Sequence, residues 1–344
     1  MEIKMKSLTL LVCLAAVFLT AALFSPAKAP AEEAKTYKLA TASLGGTYHP
    51  VGEALAILSS VKLAPLSKIR LEAVNSAGSG ENIKLMRENT VQFALLQGLF
   101  GYYAWNGKGP LSQDGPQKDL RSISMLWQNV EHFTILKDKA KTGTIADIAD
   151  LKGTKLSLGK KNSGTIVSNL IILNNLGIDA ENNYQLTSMG YSQSADALKQ
   201  GEITGMGTPA GVPATVVTSA FMSMGDKLTL LSFTDEQVKK ADGGLGLWLP
   251  FIIPADTYPG VKQDITTIAQ PNFLAVRADI DEQTVYLITK LIYENLPFLR
   301  NIHPATKEIN RDKAMAGLPI PLHPGAAKYY REIGLTIPEN LIAK

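Results

Sequence analysis

The chain is poor in the groups that usually carry chemistry. Among 344 residues there is one cysteine, Cys13, and four histidines, His49, His132, His303 and His323. One cysteine excludes a disulfide framework and every Cys-based zinc motif. No two histidines stand at helical ligand spacing, so no metal is expected. Phosphate and dinucleotide fingerprints are missing too. Thr47 follows Gly46 with no lysine between them, as a P-loop would require, and Gly45-Gly46 is not spaced as G-x-G-x-x-G. Around Ser76 a nucleophile elbow would need glycine where Val74 stands, and Ser163 also lacks that pattern. These absences argue against an enzyme and against a bound cofactor.

What is present begins with a leader. Lys4 and Lys6 precede an apolar or small run from Leu8 to Phe24, and Ala29-Pro30-Ala31 follows. Such an order reads as a signal peptide, residues 1–31, cut after Ala31, and implies an exported, periplasmic protein. The 17-residue run approaches the length of a membrane span, so an uncleaved anchor is the other reading. Cys13 lies inside the run behind Val12, where a lipoprotein would need a small residue. Without Lys4, Lys6, Lys28 and Glu2, the 34 basic and 31 acidic side chains become 31 and 30. A balance this close to neutral speaks against a nucleic-acid partner, which needs a basic face.

Past Lys35, short β-like runs alternate with helical ones: "TYKLAT", a helix over about 50–60, "KIRLEAV", a helix over about 80–88, then "VQFALLQ". This β-α-β-α-β order predicts an α/β fold with a parallel sheet. A second block repeats it with "TKLSLG", "IVSNLIILNNLG", "YQLTSMG", "SADALKQG" and "ITGMGT". Passages near Gln128–Phe133 and Leu249–Pro254 would make two lobes joined by a two-segment hinge. The first lobe would be discontinuous, 32–130 with 254–344, and the second would span 131–253.

Neutral, glycine-rich segments stand where the parallel strands end: 43–48, 75–82, 97–98, 162–165, 188–191 and 208–211. Ligands of open α/β sheets bind beyond those strand ends, and helix N-termini there hold anions with backbone N–H groups. Each segment also has a plainer role. The glycines suit turns, and Ser76, Ser79, Ser163 and Thr165 suit helix caps. Tyr48 and Tyr191 could wall a ligand or pack on neighbours. Trp105, Trp127 and Trp248 read as core, and Arg70 and Arg277 as solvated or structural guanidinium groups.

The strings "SLGGTYHPVGEALA", "NSAGSGENIKLMRENTVQFALLQ", "LKGTKLSLGKKNSGT" and "PADTYPGVKQDITTIAQPNFLAVRADIDEQTVY" together resemble the TAXI subfamily of solute receptors of tripartite ATP-independent periplasmic (TRAP) transporters. The resemblance implies a type II periplasmic-binding-protein fold and no catalysis. It also implies a monomer that hands a small carboxylate, such as glutamate or 2-oxoglutarate, to a membrane permease. It assigns ligand contacts to Gly46, Thr47, Tyr48, Asn75, Ser76 and Gln97 from one lobe. From the other it assigns Ser163, Gly164, Thr165, Thr208, Pro209 and Ala210. His49 departs from the Tyr-Tyr-Pro order common in the family. A sensor partner for a membrane kinase, or a secreted hydrolase or transferase on the same fold, are the alternatives left open.

Overall fold

Alternation decides the first strand: in Lys35–Ala40 (β1), Tyr37 and Leu39 are buried while Thr36 and Lys38 are exposed. The computed structural model describes residues 34–343. The expected signal segment, with Cys13 and the cut after Ala31, lies outside the described residues.

β1 pairs in parallel with Ile69–Val74 (β2) and Phe93–Gln97 (β3). The crossovers run through Tyr48–Leu58 (α1) and Ser79–Arg87 (α2), and Gly98–Asn106 (α3) follows β3. α1 starts two residues before the expected position, because Pro50 fits a first helical turn whose N–H groups need no partner. After Leu58 it runs into a wider turn, Ser59–Leu63, in which the Ser59 hydroxyl accepts from Leu71 N and donates to Ala56 O.

Leu120–Val130 (β4) leads through Glu131 and His132 into Phe133–Leu136 (β5), the first strand of a second sheet. That sheet adds Lys155–Ser157 (β6), Gln185–Leu186 (β7), Gly205–Gly207 (β8) and Leu228–Leu230 (β9), in the order β7-β6-β8-β5-β9. Gly164–Asn175 (α4) follows β6, and Tyr191–Lys199 (α5) follows β7. The chain returns to the first sheet in Leu249–Ile253 (β10) and Ile265–Arg277 (β11), giving the order β10-β11-β3-β1-β2 with β4 also on β11. β11 is antiparallel to β3, β4 and β10, and its pairing with β4 runs from Ala269 to Arg277.

The second expected passage, Leu249–Pro254, is therefore mostly a strand paired with β11. Beyond it, Tyr258 is fully buried beside Phe221, in the core cluster that holds Met206, Leu228 and Leu230 of the second sheet. Its hydroxyl accepts from Ala214 N and pairs with His132 Nε2, so that loop is held by the second sheet's surroundings.

The main core gathers Phe93, Leu95, Trp127 and Phe273 from the first sheet, and burying each contributes roughly 2–3 kcal/mol. Trp127 meets Tyr48 edge-on at 5.9 Å, and Trp248 is buried as well. Arg277 is structural: it chelates the Asp279 carboxylate and donates to Met86 O. Arg70 points to solvent from β2. Among the described residues no helix is long and apolar enough to cross a membrane.

Candidate functional site

Where β1, β2, β3 and β6 end, the chain turns directly into helices, and the turns surround a cavity of about 40 Å³. α1 brings Gly46, Thr47 and Tyr48; α2 brings Gly78 and Ser79; Gln97 caps the start of α3. From the second sheet's side, α4 brings Ser163, Gly164 and Thr165, and α5 brings Gly190 and Tyr191. Five helix N-termini thus converge on one small space. Pro209 and Ala210, just past β8, and Asn129 of β4 complete the wall with Lys160.

Electrostatics follow from that geometry. A helix N-terminus presents unsatisfied N–H groups and a partial positive charge. α1, α4 and α5 have no acidic residue in their first turn. α2 has Glu81, whose carboxylate is spent on Ala77 N at 2.6 Å and does not line the cavity. Lys160 is the one lining residue with a fixed charge, and it is exposed. Burial pushes the Tyr48 and Tyr191 phenols up, so both stay neutral donors.

The wall is held by hydrogen bonds that do not need a ligand. Tyr191 Oη donates to Pro209 O at 2.7 Å and sits 2.7 Å from Thr165 Oγ1. Ser163 Oγ accepts from Ile166 N at 3.2 Å, and Ser79 Oγ from Gln97 N at 3.0 Å. Tyr48 donates its hydroxyl hydrogen to Asn272 Oδ1. Behind the wall, buried Asn82 donates to Thr41 O and Leu95 O at 2.8 and 2.9 Å, fixing α2 against the ends of β1 and β3.

Two amides on the wall are unpaired. Gln97 and Asn129 are 4% and 2% exposed, and Gln97 Oε1 and Asn129 Nδ2 have no hydrogen-bond partner. Leaving such groups buried and unpaired costs about 1–3 kcal/mol each.

The two sides of the cleft touch along a seam. Gly211 N donates to Thr47 Oγ1 at 3.0 Å, and Glu81 N donates to Asn162 O at 3.0 Å. Asn162 adopts the left-handed conformation, φ 64°. A β-carbon on Gly80 would lie 2.5 Å from Asn162 O, and one on Gly164 would overlap Gln97 Oε1. Only glycine fits this approach.

Of the residues expected from sequence, Gly46, Thr47, Tyr48, Gln97, Ser163, Gly164, Thr165, Pro209 and Ala210 line the cavity. Three do not. Asn75 is exposed and donates to Ala42 O; Ser76 is buried against Thr41 O and Asn82 Oδ1. Thr208 is buried, its backbone O within 3.0 Å of His132 Nδ1. The side chains of Asn75 and Ser76 hold the backbone of the turns in place, while Thr208 is tied through its backbone and its hydroxyl has no partner. Sequence reasoning passed over Ser79 as a contact and missed Asn129 and Lys160 altogether. His49 is half-buried and lies outside the lining.

Beside the site, at the link between β4 and β5, two titratable groups are buried and neutral. Glu131 is 1% exposed, Trp248 Nε1 donates to its Oε1 at 3.3 Å, and burial pushes its carboxyl up to about 8. His132 is fully buried, its Nδ1 near Val130 O and Thr208 O, and burial pulls it down to about 4.

A model of the NMT1-like family matches residues 39–334. Among solved structures, the periplasmic binding protein BugD is 13% identical, with 88% of this chain and 94% of that chain covered and a TM-score of 0.52. A protein from Bordetella bronchiseptica RB50 is 13% identical over 87% of this chain and 80% of its own, with a TM-score of 0.50. A TctC solute binding protein from Polaromonas is 18% identical over 78% and 86%, with a TM-score of 0.45. At these identities the likeness is one of fold, and the fold is that of periplasmic binding proteins.

Proposed function

The chain belongs to the NMT1-like family, and from that premise we propose that it is an extracytoplasmic solute receptor that captures a small organic anion, a carboxylate, between two lobes. One observation carries the reading: five helix N-termini face a cavity whose lining contains no acidic side chain and a single lysine. Backbone N–H groups aimed at one point stabilise negative charge, each helix contributing about 0.3–1 kcal/mol, and the absence of a tight counter-charge suits release. Among the described residues no carboxylate or imidazole lines the cavity to act as a general base beside Ser43, Ser79 or Ser163, which favours binding over catalysis.

The lobes of this reading are built on the two sheets, with closure bending the chain where β4 passes to β5 and where the β10–β11 hairpin returns. Ligand would dock on one lobe and the seam would form on closing. The TAXI resemblance supports delivery to a TRAP-type permease by a monomeric receptor, and BugD's description as a periplasmic binding protein supports the same location.

The test is a thermal-shift screen of the purified protein, unfolded and refolded to strip bound ligand, against carboxylates, sulfonates, amino acids and sugars. A concentration-dependent rise in Tm with carboxylates is the expected outcome. Stabilisation by sugars or cations alone would overturn the anion reading.

A further inference from the structure

A buried carboxyl stands next to the cavity without lining it, and on the anion reading above it cannot be indifferent to what the cavity holds. We propose that Glu131 makes capture of the anion proton-linked: an occupied site keeps Glu131 neutral, and loss of that proton weakens binding.

Glu131 directly follows β4, two residues beyond Asn129, which lines the cavity, and the alternation of a strand puts such residues on one side. Its main chain is fixed there, with Glu131 N donating to Ile268 O at 2.9 Å and Glu131 O accepting from Thr267 Oγ1 at 2.8 Å. Tyr191, on the lining, is near enough for a charge on Glu131 to act on its phenol. An anion held beside Tyr191 feels that charge as well, through protein rather than through water.

The carboxyl has little to offset a charge. It is 1% exposed, Trp248 Nε1 donates to Oε1 from the stretch that enters β10, and Oε2 has no hydrogen-bond partner. Among the described residues no lysine or arginine compensates it, so its carboxyl titrates at about 8. The neighbouring groups keep out of that range. Burial pulls His132 down to about 4 and pushes the Tyr191 and Tyr258 phenols well up, while Thr267 and Ile268 of β11 carry no charge. Lys160, the charged residue of the lining, is common to the wild type and to any Glu131 variant.

The sign follows. An anion repels a carboxylate and not a carboxylic acid, so occupancy raises the Glu131 pKa, and by linkage affinity falls as pH rises through about 8. An opening that admitted water to the carboxyl would act in the same direction, because solvation favours the charged form.

Titration calorimetry of the stripped protein reads this coupling, with acetate, succinate and 2-oxoglutarate, or with the carboxylate that leads the thermal-shift screen, at pH 6.5 and pH 9. A rise of about one unit in the Glu131 pKa on binding predicts roughly fivefold weaker binding at pH 9. It also predicts uptake of about half a proton per anion at pH 8.5, read from the dependence of the heat on buffer ionisation enthalpy. Glu131→Gln keeps the shape and stays neutral, so at both pH values it should bind as the wild type does at pH 6.5, within about twofold, and take up no proton. Equal wild-type affinity at both pH values without proton uptake, or the same fall and uptake in Glu131→Gln, would overturn the inference and leave the anion reading standing. The wild-type affinities and proton count decide the matter even where Glu131→Gln fails to fold. If no carboxylate binds at either pH, the anion reading itself falls, and this inference with it.

Discussion

If the lobes close as proposed, Gly80→Ala separates closure from both folding and ligand contact. The added β-carbon would lie 2.5 Å from Asn162 O and 3.2 Å from its carbonyl carbon, both backbone atoms on the far side of the seam. It would also stand 3.3 Å from Phe100 on its own side, a contact that a small shift relieves. Gly80 itself does not line the cavity. Keeping the seam shut then costs the Glu81 N to Asn162 O bond, about 0.5–1.5 kcal/mol, plus overpacking of about 1–3 kcal/mol. An open form has no such overlap and gains about 0.5 kcal/mol from alanine's better helix propensity in α2. The closed state should therefore lose about 2–5 kcal/mol, which lowers ligand affinity roughly 30- to 5,000-fold. Calorimetry gives the affinity, ligand-free Tm the stability, and small-angle scattering the shape. The expected pattern is weak binding, an unchanged or slightly raised ligand-free Tm, and failure of saturating ligand to compact the protein. Unchanged affinity would refute the seam as part of closure. A drop in ligand-free Tm of many degrees would refute the two-state picture, because the contact would then belong to the fold itself.

Three further perturbations follow. Glu131 has a folded pKa of about 8, above its unfolded value of 4.5, so its contribution is present at low pH and is lost as pH rises toward 8. His132 runs the other way, losing stability as pH falls from 6.5 toward 4. Urea unfolding should show greatest stability between about pH 4.5 and 6.5, and Glu131→Gln should remove the alkaline decline, on the order of a few kcal/mol; parallel curves for both proteins would sink this. Lys160→Gln should weaken carboxylate binding only about two- to fivefold, because an exposed lysine is worth about 0.2–1 kcal/mol; a hundredfold loss would transfer the main role from the helix N-termini to the lysine. Ser163→Ala removes the cap of α4 and should cost about 1 kcal/mol in denaturant unfolding, with Ser163→Asn restoring most of it; no loss would mean that the cap bond contributes nothing.

The turns at the strand ends were legible because their signal is local. Glycine and a hydroxyl between an alternating run and a 3.6-residue repeat mark a helix N-terminus wherever they occur, and so Gly46, Thr47, Ser163 and Gly164 could be read directly. Within "NSAGSGEN" the local signal could not rank the two serines. Ser76 turns inward to hold Asn82, and Ser79 is left at the helix start facing the cavity. Thr208 and Pro209 are neighbours with different surroundings, since the backbone of Thr208 is tied to His132. Asn129 was hidden for a deeper reason. Its place depends on β4 lying against β11, where it sits opposite Gln270, and no local pattern reports a pairing between segments so far apart. One mark of it was visible: two amides, Gln128 and Asn129, inside the otherwise apolar "MLWQNV".

The seam is largely main chain: the Asn162 carbonyl, the Glu81 and Gly211 N–H groups, and glycines pressed against the facing wall, with the Thr47 hydroxyl and the Gln97 amide as the side chains that meet them. Asn129 and Lys160, which line the cavity, take no part in those bonds. On the proposed reading, closing and recognition are shared at Thr47 and Gly164, which belong to both the seam and the lining, and separate at Asn129, Lys160 and Gly80. If the chain is the receptor proposed above, a duplicated copy of its gene can drift at Asn129 or Lys160 toward a new ligand while the seam still shuts, whereas drift at Gly80 would disable every descendant alike, whatever it had come to recognise.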